Sequence, residues 1–213
     1  MFSAHLKSVQ TGAVAPLGAE GVRSGFVKHE RDGKIAVTMR GLDGDAQADL
    51  TVHGGPEKAV YGYASGHYAA WSVEFPTLAF NAGAMGENLT IAGMDERDIC
   101  VGDVHAIGSA LLQVCQPRQP CFKLSLRHEE NKLPKAMVHS GRSGWYYRVL
   151  QMGALSAGDA VVLHHRPHAD FPFTRLVEII YHGEATRAEL MQMSEMSALA
   201  SSWRRKAAQL LAG

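Results

Sequence analysis

From residue 3 to about residue 165 the apolar residues come in short runs, and Gly, Asp or Pro interrupts almost every one of them. Long amphipathic helices cannot form there, because each breaker ends the 3.6-residue period before an apolar stripe can develop. Short strands can. The pattern predicts strands over residues 3–11, 24–28, 34–39, 48–52, 59–63, 88–91, 104–107, 111–116, 145–151 and 160–165. In the run from Leu111 to Cys115, Leu112 and Val114 share one face while Leu111, Gln113 and Cys115 share the other, the period-two signature of a half-buried strand. Many short strands at close spacing point to a barrel or closed sandwich, a mainly β (α+β) fold.

Helical signals interrupt the strands twice. Ser65 is a candidate cap for a helix through Phe75, with Tyr68, Trp71 and Phe75 at helical spacing and Pro76 as the stop. A second short helix is expected over residues 134–139, both helices packing outside the sheet. After residue 165 the texture changes. Residues 166–172 read as a linker, Leu176, Val177, Ile179 and Ile180 give a helical stripe, and Thr186 to Glu189 form a capping box. Trp203, Leu210 and Leu211 mark a third helix. The expected organisation is a β domain over 1–165 and a linker with a three-helix appendage over 166–213. An appendage of roughly 40 residues needs docking to be stable.

The 21 Lys and Arg balance the 21 Asp and Glu, so no global field draws the chain onto nucleic acid or anionic lipid. Arg204, Arg205 and Lys206 alone make a weak case for a nucleic-acid face. No segment approaches the roughly 18 apolar residues of a membrane span, and residues 1–13 lack a signal-peptide core. A cytoplasmic, reducing location is expected, with Cys100, Cys115 and Cys121 as thiols. Cys100 and Cys115 sit among apolar neighbours and read as packing residues.

Cys121 is different. It lies in Gln116-Pro117-Arg118-Gln119-Pro120-Cys121-Phe122-Lys123-Leu124, directly after a strand. Two prolines three residues apart fix φ at both positions, so the loop presents the thiol along a stiff path. Arg118 and Lys123 bracket it, and nearby cations favour the thiolate, the form that attacks electrophiles or binds metal. A helix opening here would add its positive end. The plainer alternative is a small buried hydrophobe.

Three other segments carry candidate chemistry. In His53-Gly54-Gly55-Pro56-Glu57-Lys58-Ala59 the paired glycines let backbone N–H groups approach an anion such as phosphate beside Lys58, or simply make a turn. In Met85-Gly86-Glu87-Asn88-Leu89 the Asn88 amide offers both a donor and an acceptor. Around Ser140-Gly141-Arg142-Ser143-Gly144-Trp145-Tyr146-Tyr147-Arg148, small residues, arginines and aromatics could wall a pocket for a flat ring or lead into a buried strand.

Taken in order with Gly102-Asp103, these segments resemble the MOSC domain in its YiiM-type branch. Glu178, Tyr181 and Ser202-Trp203-Arg204 are similar to the three-helix domain that follows it there. The resemblance implies a β-barrel-like fold related to molybdenum-cofactor sulfurases, a molybdenum cofactor (molybdopterin), and Cys121 as the metal's thiolate ligand. Lys58 and Arg118 match basic residues of the family's cofactor pocket. Gly54, Gly55, Lys123 and Arg142 are added as cofactor-binding candidates, and Asn88 and His53 as hydrogen-bonding pocket residues. The activity implied is reduction of N-hydroxylated substrates such as hydroxylaminopurines, with electrons from a partner flavoprotein and neither nucleic acid nor membrane as partner; a homodimer is allowed. A non-catalytic carrier, of the cofactor or of a Cys121 persulfide, is the alternative.

Overall fold

A computed structural model of the chain describes residues 4–49 and 54–213. In chain order the strands and helices are β1 (His5–Thr11), β2 (Ala15–Leu17), β3 (Val22–Ser24), β4 (His29–Glu30), β5 (Ile35–Thr38), β6 (Gly41–Leu42), β7 (Val60–Ala64), α1 (His67–Glu74), β8 (Leu89–Ala92), β9 (Val104–Ile107) and β10 (Ala110–Pro117). There follow α2 (Phe122–His128), α3 (Leu133–Ser140), β11 (Trp145–Gln151), β12 (Gly153–Leu155), β13 (Val161–His165), α4 (Phe173–His182), α5 (Arg187–Glu195) and α6 (Ser201–Ala212). No helix among the described residues is long and apolar enough to cross a membrane.

Eight strands form one mixed sheet in the order β13-β9-β10-β11-β7-β8-β1-β4, in which only β7 and β8 run parallel. The sheet curls until its first strand meets its seventh. His5 bridges Ala160, Val161 N–H donates to Ala4, and Leu6 N–H donates to Asp159. This is the barrel-like wrap the sequence implied, although a few bonds rather than a continuous ladder join the two sides. Two small sheets, β12-β5-β6 and the β2-β3 hairpin, complete the β structure.

Two apolar cores divide the interior. The larger lies within the curl and extends under the C-terminal helices, where Phe173, Leu176, Val177 and Ile179 of α4 and Met193 of α5 join Ile91, Leu112 and Trp145. The docking that so short a helical segment requires is therefore present. Residues 166–172 are pinned rather than free: Phe171 is buried, Val101 N–H donates to Phe171, and Phe173 N–H donates to Ile99. The smaller core gathers Tyr68 and Trp71 of α1, Leu124 of α2, and Leu133 and Met137 of α3 against Tyr61 and Tyr63.

Several local expectations require correction. Residues 25–28 are irregular, and the strand lies earlier, at β3, paired with β2 across a turn containing Gly18 and Gly21. Ala48 and Asp49 are also irregular, and the rest of the strand expected over 48–52 lies outside the described residues. Ser65 does not cap α1 with its side chain. Gly66 is the N-cap, and the Ser65 carbonyl accepts from Tyr68 N–H instead. Thr186 and Glu189 do form the reciprocal capping box.

Candidate functional site

Cys121 stands at the N-cap of α2, extended at φ −127°, where the stiff Pro117–Pro120 segment leaves the sheet and turns into a helix. Helix α2 is short, so its end contributes a modest positive potential beside the thiol. Leu124, one turn on, is fully buried in the smaller core and anchors the helix. The thiol itself is partly exposed and lines a cleft of about 90 Å3.

The cleft is strongly cationic: among the described residues Lys28, Lys58, Arg118 and Lys123 line it, against one carboxylate, Asp45. Cys121 lies close enough to act electrostatically on Lys58, Arg118 and Tyr146. Burial, opposed by the Cys115 and Cys121 thiols and by Glu57, pulls the Lys58 ammonium below its ordinary value.

Arg118 is held in place from three sides. Its guanidinium sits 5.0 Å from the centres of both the Phe26 and Tyr61 rings and donates to the Met85 carbonyl. Cation–π contacts of this kind are worth about 2 kcal/mol when desolvated, which fixes the charge without a carboxylate to cancel it. Gly86, at φ +75°, lets the Phe26 ring come close: a Cβ there would lie 3.2 Å from it. The turn carrying Met85 is tied by Glu87, whose fully buried carboxylate accepts from Gly83 N–H at 2.7 Å, Met85 N–H at 3.1 Å, the Thr90 hydroxyl at 2.7 Å and the Tyr68 hydroxyl. Tyr61 is fixed by its hydroxyl, which donates 2.8 Å to the Ser143 carbonyl. Its ring centre lies 5.0 Å from that of Tyr146, so two aromatics wall one side of the cleft.

The residues singled out in the sequence thus divide. Cys121, Lys58, Arg118, Lys123 and Asn88 line one cleft. The Asn88 amide, however, is engaged in the sheet, accepting from Tyr61 N–H at 3.0 Å and donating 3.3 Å to Gln10. Gly54 and Gly55 precede the single turn at Pro56–Lys58 that carries Lys58, and His53 lies outside the described residues. Arg142 faces elsewhere. It pairs with Glu74 at 2.9 Å, lies 4.0 Å over the Trp71 ring, and lines a separate, larger groove of about 1330 Å3 between α1, α3 and α4. Asp103 is structural, accepting from Cys100 N–H and from two Arg166 nitrogens at 2.7 and 2.8 Å.

Sequence reasoning missed Lys28, Asp45, Phe26 and Tyr61 as cleft residues. Each is remote from Cys121 in sequence, and isolated charges in irregular segments carry no periodic signal. Cys115, by contrast, is buried as expected. Its Sγ donates to the Glu57 carbonyl at 3.1 Å, and burial pushes its thiol up to about 12.

Among the described residues no three metal-ligating side chains converge. A pterin-bound metal brings anionic ligands of its own, and beside Cys121 these would meet Lys28, Lys58, Lys123 and Arg118. The partly exposed thiol and the cationic lining are the features of the cleft that suit a metal carrying anionic ligands.

A family model described as MOSC domain matches residues 49–162, and one described as YiiM-like, 3-alpha helix domain matches residues 174–213. Protein YiiM of Escherichia coli (strain K12) is 36% identical over 188 residues, covering 87% of this chain and 84% of its own. A protein named "Reductase" from Gibberella moniliformis is 35% identical over 180 residues, 82% of this chain but 32% of that longer one. The crystal structure of YiiM from Geobacillus stearothermophilus has a TM-score of 0.83 and 34% identity, covering 98% of this chain and 99% of that one. Two matched models in the expected order, relatives along most of the length and a shared fold place the chain in the MOSC family, in the YiiM-like branch with a C-terminal three-helix domain.

Proposed function

We propose that this protein binds the molybdenum cofactor through Cys121 and reduces N-hydroxylated compounds, such as hydroxylaminopurines, to the corresponding amines. The observation that carries the reading is a partly exposed thiol at the start of α2, in a cleft where four cations face one carboxylate. The relative named "Reductase" supports a redox role. When bound, the cofactor supplies a two-electron redox centre. Cys121 would ligate the metal, Lys58, Lys123 and Arg118 would hold the anionic pterin tail, and Phe26, Tyr61 and Tyr146 would exclude water. In the net reaction the N–O bond breaks, two electrons and two protons are taken up, and amine and water leave. A flavoprotein would supply the electrons, and the three free thiols suit a reducing cytoplasm.

The test is expression in a host that makes the cofactor, followed by molybdenum and pterin analysis and a hydroxylaminopurine reduction assay with a reconstituted flavin donor. Wild type is expected to carry the metal and turn over, and Cys121→Ser to lose both. A Cys121→Ser protein with stoichiometric molybdenum and full activity would overturn the assignment. Bound cofactor or cyanolysable sulfur without any reduction would establish the carrier role instead.

A further inference from the structure

We infer that Lys28, aimed by Asp45 in the cleft wall, donates the proton to the oxygen that leaves when an N–O bond is cleaved beside Cys121. The inference rests on the reductive reading above and adds the proton source that reading lacks. Reduction of R–NH–OH to R–NH2 and water consumes two electrons and two protons. As the N–O bond breaks, the oxygen must leave as water, because hydroxide is a poor leaving group; one proton therefore goes to oxygen and the other, from water, to nitrogen. The electrons come from the two-electron reductant already proposed for this site.

Among the described residues, few groups lining the cleft can supply that proton. Tyr61 has committed its hydroxyl to the Ser143 carbonyl, and burial makes both Tyr61 and Tyr146 hold their protons more tightly than usual. Arg118 does not deprotonate. Lys58 is under the influence of the Cys115 and Cys121 thiols and belongs to the cofactor side, and Lys123 is two residues from the ligand thiol.

Lys28 has the geometry of a donor. Its Nζ donates to Asp45 Oδ1, and Asp45 is itself fixed by Gly12 N–H at 2.9 Å and the Gln47 amide at 3.3 Å. The two side chains are only 7% and 1% exposed, yet both line the cleft. The hydrogen bond to Asp45 uses one of three ammonium N–H groups, which leaves donors for a guest. A buried ion pair is weak evidence for stability, since both ions lose their hydration on burial, so packing alone does not account for it. Burial also lowers the proton affinity of Lys28, with Arg118 acting in the same sense and Asp45 and Glu87 opposing.

The experiment compares wild type, Lys28→Met and Lys28→Arg, each loaded with cofactor, for molybdenum content, kcat and the pH profile of kcat. Both variants are expected to keep the metal and to lose about 10²–10⁴-fold in kcat, the usual contribution of a general acid. Arginine keeps the charge and the ion pair but cannot release the proton, so a purely structural Lys28 would be rescued by it. Wild-type kcat is expected to fall as pH rises through a value below that of ordinary lysines. Independently of activity and of any variant's folding, competitive acylation of metal-free wild type should show the Lys28 amine deprotonating at lower pH than exposed lysines such as Lys7 and Lys34. Restored activity in Lys28→Arg, or acylation of Lys28 in step with the exposed lysines, would overturn the inference alone. Loaded wild type that reduces no N-hydroxy compound would overturn the functional reading and the inference together.

Discussion

The hydroxyl of Tyr181 on α4 donates to the carbonyl of Arg118, so the C-terminal helices close a hydrogen bond on the loop that presents Cys121. Arg118 thereby has its side chain held by the Phe26 and Tyr61 rings and the Met85 carbonyl, and its backbone by the three-helix domain. Removing the hydroxyl leaves a buried carbonyl without that donor, at a cost of about 1–3 kcal/mol. We expect Tyr181→Phe to lower the urea midpoint with an unchanged m value. We also expect faster amide exchange in residues 118–124 than in β9. Equal exchange in both segments would show that the contact does not restrain the loop.

Glu57 makes a further link between the two parts. Its carboxylate pairs with Arg148 at 2.9 Å and accepts from the Ser201 backbone at 2.9 and 3.0 Å and from the Ser201 hydroxyl at 2.9 Å. No side chain of α6 caps its own N-terminus, so a residue 144 positions away does so. The pair with Arg148 is partly solvated and contributes little; the helix-capping bonds dominate. Glu57→Ala is expected to cost about 1–2 kcal/mol, typical of a lost cap, and to raise exchange at the start of α6. Lys58 follows Glu57 directly, so the same change should weaken retention of an anionic ligand. A stability loss confined to β11 would contradict this account.

The two walls of the cleft show what the sequence could and could not reveal. Strands β1, β9, β10 and β11, α1, and the thiol on its proline-stiffened loop were legible, because periodicity and breakers are local properties. The capping box at Thr186 was legible for the same reason. The two-residue strands β4 and β6 are too short to show a period. Helix α2 has its apolar anchor at Leu124 but leaves Phe122 58% exposed, so its pattern is indistinct. The cleft's other wall is assembled from Phe26, Lys28, Asp45 and Tyr61, which tertiary structure alone brings to Cys121. Arg142 illustrates the converse: an arginine in an informative-looking motif whose partner, Glu74, turns it toward another groove.

His105 makes stability depend on pH. It is buried in β9, its Nδ1 lies 2.7 Å from the Tyr147 hydroxyl, and burial pushes its pKa down to about 4. An unfolded histidine titrates near 6.5, so the unfolded chain takes up this proton first as pH falls. Stability that is fully present above pH 6.5 is therefore lost progressively down to about pH 4, by roughly 3 kcal/mol for this group. Replacement by a side chain that does not titrate, His105→Gln, should flatten this part of the stability curve. Parallel curves for the two proteins between pH 7 and 4 would show that His105 protonates equally in both states.

The three thiols should separate by environment when the folded protein is alkylated. Cys115 has no exposed surface, donates from Sγ to the Glu57 carbonyl, and is pushed up to about 12 by burial, so it presents almost no thiolate at neutral pH. Burial also raises Cys100, which is 7% exposed. Cys121 is partly exposed at the start of α2 and lines the cleft, so a reagent can reach it. Iodoacetamide at pH 7.5, read by mass spectrometry of peptides, should modify Cys121 at least about 10-fold faster than either other cysteine, because burial both shields those two and raises their thiols. In urea all three rates should converge, because the difference belongs to the fold. Under the proposed function, prior loading with molybdenum cofactor should protect Cys121 while leaving Cys100 and Cys115 unchanged, and such protection would tie the thiol to a ligand site. Equal labelling of Cys121 and Cys115 in the native protein would remove the physical basis for assigning the chemistry to Cys121.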